Sequence, residues 1–187
     1  MNRILRILCA LGTGFAPVAQ AQRVSAIDPG RSEIVFMGKQ MGVPAEGWFK
    51  RFVAQVDFDP AGLAAARAQI EIDLASVDTG AEEIDTELQR RPWFNTAAFP
   101  TAKFVSSAVK SLGAGRYEAA GKMSIKGRTR DVSAPFTVHQ RDGATVFEGT
   151  FTLSRLEYGL GEGIWADTET VADEVQIRFK LTGAAKH

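Results

Sequence analysis

Ala68-Gln69-Ile70-Glu71-Ile72-Asp73-Leu74 decides the fold class. Apolar side chains stand at every second position with polar ones between them, the period of an extended strand that buries one face and wets the other. Outward from here the same alternation returns at Val132, Ala134, Phe136 and Val138, and again at Phe147, Gly149, Phe151 and Leu153. A further run is Val171, Val175, Ile177, Phe179 and Leu181, and the pattern is softer at 34–36, 103–109 and 117–125. Turn formers separate these runs: Asp28-Pro29-Gly30, Asp59-Pro60-Ala61-Gly62, Gly113-Ala114-Gly115, Lys126-Gly127 and Asp142-Gly143.

Between 47 and 58 the phase slips. Phe52, Ala54, Val56 and Phe58 take even positions while Phe49 is odd. A one-residue slip sends every later side chain to the other face, so a bulge or sharp bend is expected near Lys50-Arg51. From Thr79 to Pro100 the period of two disappears. Thr79-Gly80-Ala81-Glu82 can start a helix, the Thr79 hydroxyl capping it and Glu82 reaching back in a capping box. Ile84 and Leu88 then share one face beside the acidic Glu83, Asp85 and Glu87, Pro92 stops the helix, and Trp93-Phe94-Asn95 follows as a buried hook. The expected fold is all-β: an eight-stranded antiparallel barrel with a short helical insertion near 80–95.

The chain has 187 residues, 45% apolar and 24% charged, with 22 basic and 22 acidic side chains. So even a charge balance excludes a nucleic-acid binder that works by neutralising phosphates, and the apolar fraction excludes disorder. Arg3 and Arg6, an uncharged run from Ile7 to Gln22 and the small residues of Ala19-Gln20-Ala21 have the layout of a secretory signal cut after Ala21. The run is short of the roughly twenty residues a membrane span takes. Residues 1–21 are therefore expected to be a cleaved signal, and 22–187 one domain in the periplasm. The single cysteine, Cys9, falls in the signal, so the domain is expected to hold no disulfide and no thiolate ligand. His139 beside Gln140 and Arg141, and His187 at the end of the chain, do not make a metal site. Ser76-Val77-Asp78-Thr79-Gly80 offers a serine and a carboxylate without a histidine base, which reads as a turn and cap rather than a catalytic triad.

Eight strands enclose an interior just wide enough to fill with side chains or to hold one slender ligand. The inward faces are almost wholly apolar, with Gly121 and Gly149 leaving room. Such an interior accepts a hydrocarbon chain and suits neither a sugar nor a nucleotide; equally, the same residues can simply pack on each other.

A series of short motifs bears on that choice. Ile27-Asp28-Pro29 is followed by Phe36, Met41-Gly42, Gly47 and Phe58-Asp59-Pro60. Ser76-Val77-Asp78-Thr79-Gly80, Trp93-Phe94, Phe99-Pro100 and Phe104-Val105-Ser106 come next. Gly121-Lys122-Met123-Ser124-Ile125-Lys126-Gly127, Arg155-Leu156-Glu157-Tyr158-Gly159 and Asp173-Glu174-Val175 complete the order. In this sequence they resemble the YceI family of exported, lipocalin-like, polyisoprenoid-binding proteins. The 161–167 stretch looks most like a subgroup linked to membrane b-type cytochromes. The resemblance implies a lipocalin-like barrel, no cofactor, and an isoprenoid lipid or quinone as ligand. It also implies transient membrane contact, dimers in some relatives, and a b-type cytochrome as a candidate partner. Many relatives carry a histidine before the Met41-Gly42 step, where this chain has Gln40. The function expected is non-catalytic binding or transport; a lipid-modifying enzyme and an accessory subunit of a cytochrome–quinone system are the alternatives.

The inward parity and the resemblance together nominate Phe36, Met41, Trp48, Phe49, Phe52, Phe104, Met123, Phe136, Phe151, Arg155, Trp165 and Ile177 as lipid-binding residues. Arg155 either donates forked hydrogen bonds to a phosphate or quinone carbonyl or closes the barrel end in a salt bridge with Asp73, Asp78 or Asp85. Trp48 and Trp165, set among glycines, are candidates for the mouth, whereas Trp93 reads as core and Met37 and Met41 as gap-fillers.

Overall fold

Four two-residue turns set the topology. At Met41-Gly42, Ala114-Gly115, Lys126-Gly127 and Asp142-Gly143 both residues have positive φ, between 48° and 79°. That is the signature of the type I′ turn, whose twist matches that of the strands it joins. The computed structural model describes residues 24–185; the signal expected at 1–21, Cys9 and His187 lie outside them.

In chain order the strands are β1 (Val24–Ile27), β2 (Glu33–Gln40), β3 (Val43–Phe49), β4 (Phe52–Asp57), β5 (Arg67–Asp73) and β6 (Val77–Asp78). The single α-helix among the described residues, α1 (Glu82–Gln89), precedes β7 (Thr101–Gly113), β8 (Arg116–Ile125), β9 (Arg128–Arg141), β10 (Ala144–Ser154) and β11 (Glu174–Ala185). All pair antiparallel in one curled, half-barrel sheet of order β4-β5-β7-β8-β9-β10-β11-β2-β3-β6, with β1 on β11. Among the described residues the strand count is thus eleven, not eight. The 47–58 segment divides into β3 and β4, and the short β1 and β6 carry too few residues to show a period.

The division at Lys50-Arg51 is the expected bend. It falls opposite a second kink, the 3₁₀ turn Leu74–Ser76 between β5 and β6. Lys50 N donates to Ser76 O at 3.0 Å, and Asp73 N to Arg51 O at 3.0 Å. The buried Ser76 hydroxyl accepts from Arg51 N at 3.0 Å and donates to Asp73 O at 2.6 Å. Two strands therefore bend as a pair, β3 into β4 and β5 into β6, and link the two ends of the sheet order. Ser76 serves this kink.

Helix α1 departs from its expected cap. Ala81 is the N-cap and makes no side-chain bond. Thr79 lies too far upstream to reach the first free N–H groups; instead Asp85 accepts from the Thr79 N–H at 2.8 Å and hydroxyl at 2.7 Å. Phe94 is buried after the helix, its N–H on Leu88 O at 2.9 Å, as the expected hook.

The inner face of the sheet buries Ile34, Phe49, Phe52, Phe104, Met123, Phe147 and Leu153 in one cluster. The glycines expected to leave room for a ligand are filled by the protein itself. A Cβ on Gly149 would stand 2.4 Å from Pro135 O and 2.5 Å from the Phe179 ring, and one on Gly121 would meet Val105 O and the Phe104 ring. Each is the site where an aromatic ring lies across a neighbouring strand, and only a missing side chain allows that approach.

Candidate functional site

Where the inward faces of β2, β5, β8, β10 and β11 diverge beneath α1, side chains do not meet across the interior. The gap is a cavity of about 500 Å³. Ile34, Ile72, Leu74, Met123, Ile125 and Leu153 form its depth, and all are buried. Aromatic rings line its sides in contact chains: Phe36 on Phe49 at 5.4 Å, Phe49 on Phe94 at 5.9 Å, and Trp93 on Trp165 at 5.8 Å between centroids. Its rim is where the lining becomes exposed, at Lys39, Gln40, Ala45 and Glu46 of the β2–β3 hairpin and at Glu83 and Ile84 of α1. The segment after β10 supplies the rest through Trp165, Val171 and Ala172.

A second hollow of about 90 Å³ lies among Phe58, Phe104, Phe136, Phe147, Phe151 and Phe179. It shares Ile34, Ile72, Met123 and Ile177 with the first. These four form a neck between a larger chamber that opens at the rim and a smaller one lined by phenylalanines.

The nominated residues distribute unevenly over these spaces. Phe36, Phe49, Met123, Arg155, Trp165 and Ile177 line the larger chamber; Phe104, Phe136 and Phe151, with Met123 and Ile177 again, line the smaller. Phe52 is buried in the core and borders neither. Trp48 is 40% exposed and stands opposite Val35, on the outer face of the sheet, because strand alternation puts it out of phase with Phe49. Met41 fills no gap: it is 73% exposed at the tip of the β2–β3 hairpin. Trp93, read as core, lines the chamber with Leu88, and Leu153 and Val175 do so from the inward faces. The helix and hook placed Trp93 and Leu88 there, and the register of period-two strands could not say which turn of a helix would cover them.

Arg155 is 1% exposed and makes no salt bridge with Asp73, Asp78 or Asp85. Its guanidinium donates to five backbone carbonyls. Nε reaches Ala172 O at 3.0 Å, Nη1 Leu160 O at 2.7 Å and Gly161 O at 3.4 Å, and Nη2 Trp165 O at 2.8 Å and Val171 O at 2.6 Å. Asp73, Asp78 and Asp85 are engaged elsewhere, the first two by Arg51 and Lys50 and the third by Thr79. Burial pushes the pKa of Arg155 down, and the charge of Asp173 opposes that shift. Asp173 itself accepts from the Ser154 hydroxyl at 2.9 Å and Leu156 N–H at 3.0 Å. The Arg155 guanidinium also lies 5.6 Å from the Trp93 ring centroid. Gly161, at φ +82°, brings its backbone onto Nη1 where a Cβ would stand 2.2 Å away. Arg155 is thus the hub that gathers residues 160–172 into one wall of the chamber.

Two of the four charged side chains near the rim are paired. Glu46 meets Arg178 at 2.9 Å and Glu87 meets Arg90 at 3.0 Å. Among the described residues no group of three or more His, Cys, Asp or Glu side chains is placed to hold a metal ion. No helix among them is long and apolar enough to cross a membrane.

The model of the YceI-like domain matches residues 26–183. The chain belongs to the YceI-like family. Within it, a UPF0312 protein of Ectopseudomonas mendocina is 31% identical over 131 residues, covering 67% of this chain and 69% of that one. Among solved structures, Burkholderia cenocepacia BcnA is 42% identical with a TM-score of 0.81, over 83% of this chain and 98% of that one. A polyisoprenoid binding domain from Saccharophagus degradans, 18% identical, has a TM-score of 0.68 over 88% of this chain and 99% of its own, and so shares the fold. This YceI-like chain has the family's curled antiparallel sheet with one short helix.

Proposed function

We propose that this YceI-like protein is a non-catalytic periplasmic carrier that holds an isoprenoid lipid, of polyprenyl or quinone type, in the larger chamber. The observation that carries the proposal is the apolar cavity of about 500 Å³, open at a polar rim. The YceI-like family match and the likeness in fold to a polyisoprenoid binding domain support it. A cavity of about 150 Å³ accepts one benzene, so this one has room for about three such groups, or roughly fifteen to twenty carbons. A longer tail extends beyond the chamber, either out of the rim or past the neck at Met123.

Energetics favour exchange over capture. Each CH₂ moved from water to an apolar site contributes about 0.8 kcal/mol, but a long lipid never starts in water. Moving it from a bilayer to the chamber is nearly neutral in hydrophobic terms, so packing and a few polar contacts decide occupancy. Three elements at the rim each present an exposed apolar side chain: Met41 and Val43 on the hairpin tip, Ile84 on α1 and Ile164 in the 160–172 segment. Met41 N bonds to Thr170 O at 2.8 Å, which ties the hairpin tip to that segment. The apolar interior thereby runs out onto the rim, the arrangement that brief contact with a bilayer surface requires. Carriage rather than chemistry fits the lining: the Thr79 hydroxyl is bonded to Asp85, and Arg155 to backbone.

A transfer assay tests the proposal. Donor vesicles carrying a labelled polyprenol or quinone are mixed with unlabelled acceptors, and the label is followed with and without protein. Faster transfer with the lipid recovered unchanged is expected; recovery of a modified lipid would convert the carrier into an enzyme.

A further inference from the structure

Two elements close over the larger chamber, and they are fastened very differently. One is the 156–172 segment. Arg155 grips it through the carbonyls of Leu160, Gly161, Trp165, Val171 and Ala172. The β2–β3 hairpin grips it again, with Met41 N on Thr170 O at 2.8 Å and Ala172 N on Lys39 O at 2.9 Å. Lys126, its side chain 8% exposed, donates to Gly159 O at 2.7 Å and meets Glu162 at 3.4 Å.

The other element is α1, which brings Glu83, Ile84, Glu87 and Leu88 to the lining. None of its eight residues is buried, and its N-cap, Ala81, makes no side-chain bond. A helix this short does not hold itself together in water and depends on what it packs against. Its two ends differ. At the C-terminal end Leu88 O accepts from Phe94 N at 2.9 Å and Gln89 O from Thr96 N at 3.1 Å, which fixes the last turn to the hook. The hook in turn is tied to the 156–172 segment, since Pro92 O accepts from Gly161 N at 2.8 Å and Glu162 N at 2.9 Å. The N-terminal end is clasped by Asp85, whose carboxylate accepts from the Thr79 N–H and hydroxyl. Between clasp and helix, Gly80 has φ +79°, and a Cβ there would meet nothing within 4 Å, so this joint has room to turn. A segment with so little buried surface opens at a small fraction of the cost of global unfolding.

We propose that α1 is the gate of the chamber. It unwinds from its N-terminal end when an apolar molecule enters or leaves, its last turn stays on the hook as the hinge, and the Asp85–Thr79 clasp sets the rate. The proposal rests on the chamber being a binding site, as inferred above, and adds how access to it is controlled.

The test mixes lipid-stripped protein with phenylnaphthylamine, an uncharged apolar dye, in a stopped-flow fluorimeter, and reads the rate of uptake and the amplitude at saturation. Asp85→Ala removes the clasp, outside the lining, and should raise the rate about tenfold with the amplitude unchanged, the effect of losing a hydrogen-bonded charge. Thr86 is exposed and also outside the lining, so it probes the helix alone. Thr86→Gly should take up and release the dye about fivefold faster than Thr86→Ala, the ratio set by the helix propensities of glycine and alanine, again at equal amplitude. Equal rates for the two Thr86 variants, or for Asp85→Ala and the unaltered protein, would overturn the gate and leave the chamber as a permanently open site. Dye that gains no fluorescence with any of these proteins would overturn the binding site itself.

Discussion

Arg155 is the residue on which the wall of the chamber turns. Replacing it by methionine keeps the bulk and the inward parity but leaves the buried carbonyl of Leu160 and the half-buried carbonyls of Trp165, Val171 and Ala172 without their donors. Each orphaned carbonyl costs about 1–3 kcal/mol, partly offset by no longer burying a charge, so Arg155→Met is expected to lose about 3 kcal/mol in urea unfolding. Arg155→Lys should recover only part of it, since an ammonium has three donors and no planar fork. Tyr158, three residues on in sequence, is also almost fully buried, and its hydroxyl finds no hydrogen-bond partner among the described residues. Burial first, and the neighbouring Glu157 second, push its pKa up from 10.0 to about 12. Above pH 10 the unfolded chain loses that proton while the folded one keeps it, so stability falls as pH rises from 10 toward 12. Replacing Tyr158 by phenylalanine should remove that part of the alkaline decline in a pH series of thermal melts.

At the scale of elements, the three rim segments act together through their exposed apolar tips. Met41→Asp combined with Ile164→Asp touches no buried side chain, since the two positions are 73% and 81% exposed. The pair is expected to slow vesicle-to-vesicle transfer several-fold while leaving the melting temperature unchanged; equal transfer by both proteins would detach the rim from the membrane step. Elements also show what the sequence made legible. Period two located β5, β9, β10 and β11 because each buries one face, and the slip at Phe49 located the kink between β3 and β4. The dipeptides Lys126-Gly127 and Asp142-Gly143 marked hairpins because type I′ turns need positive φ. Hidden from it were β6, two residues long, and the helix start, where Asp85 reaches back to Thr79 across a distance no capping pattern specifies. Arg155 was legible as inward-facing, but its partners are main-chain carbonyls, which every residue carries and no sequence pattern marks.

For the whole molecule, the relation between the two chambers sets what length of tail is held. Met123 belongs to both, and its flexible thioether is one side of the neck. Met123→Ala opens that neck; it is expected to cost about 2–5 kcal/mol as a buried methionine truncation and to shift the retained prenyl alcohols toward longer tails. An unchanged tail length would place the end of the lipid outside the rim. The claim under all of these is that the larger chamber has an occupant. Native mass spectrometry of protein purified from the cell envelope, followed by solvent extraction, measures this directly. The expected result is one long-chain isoprenoid per chain, lost when Ala102→Trp fills the depth of the chamber in a protein that still folds. Protein that is empty as purified, and that stays empty after incubation with isoprenoid-loaded vesicles, would contradict it.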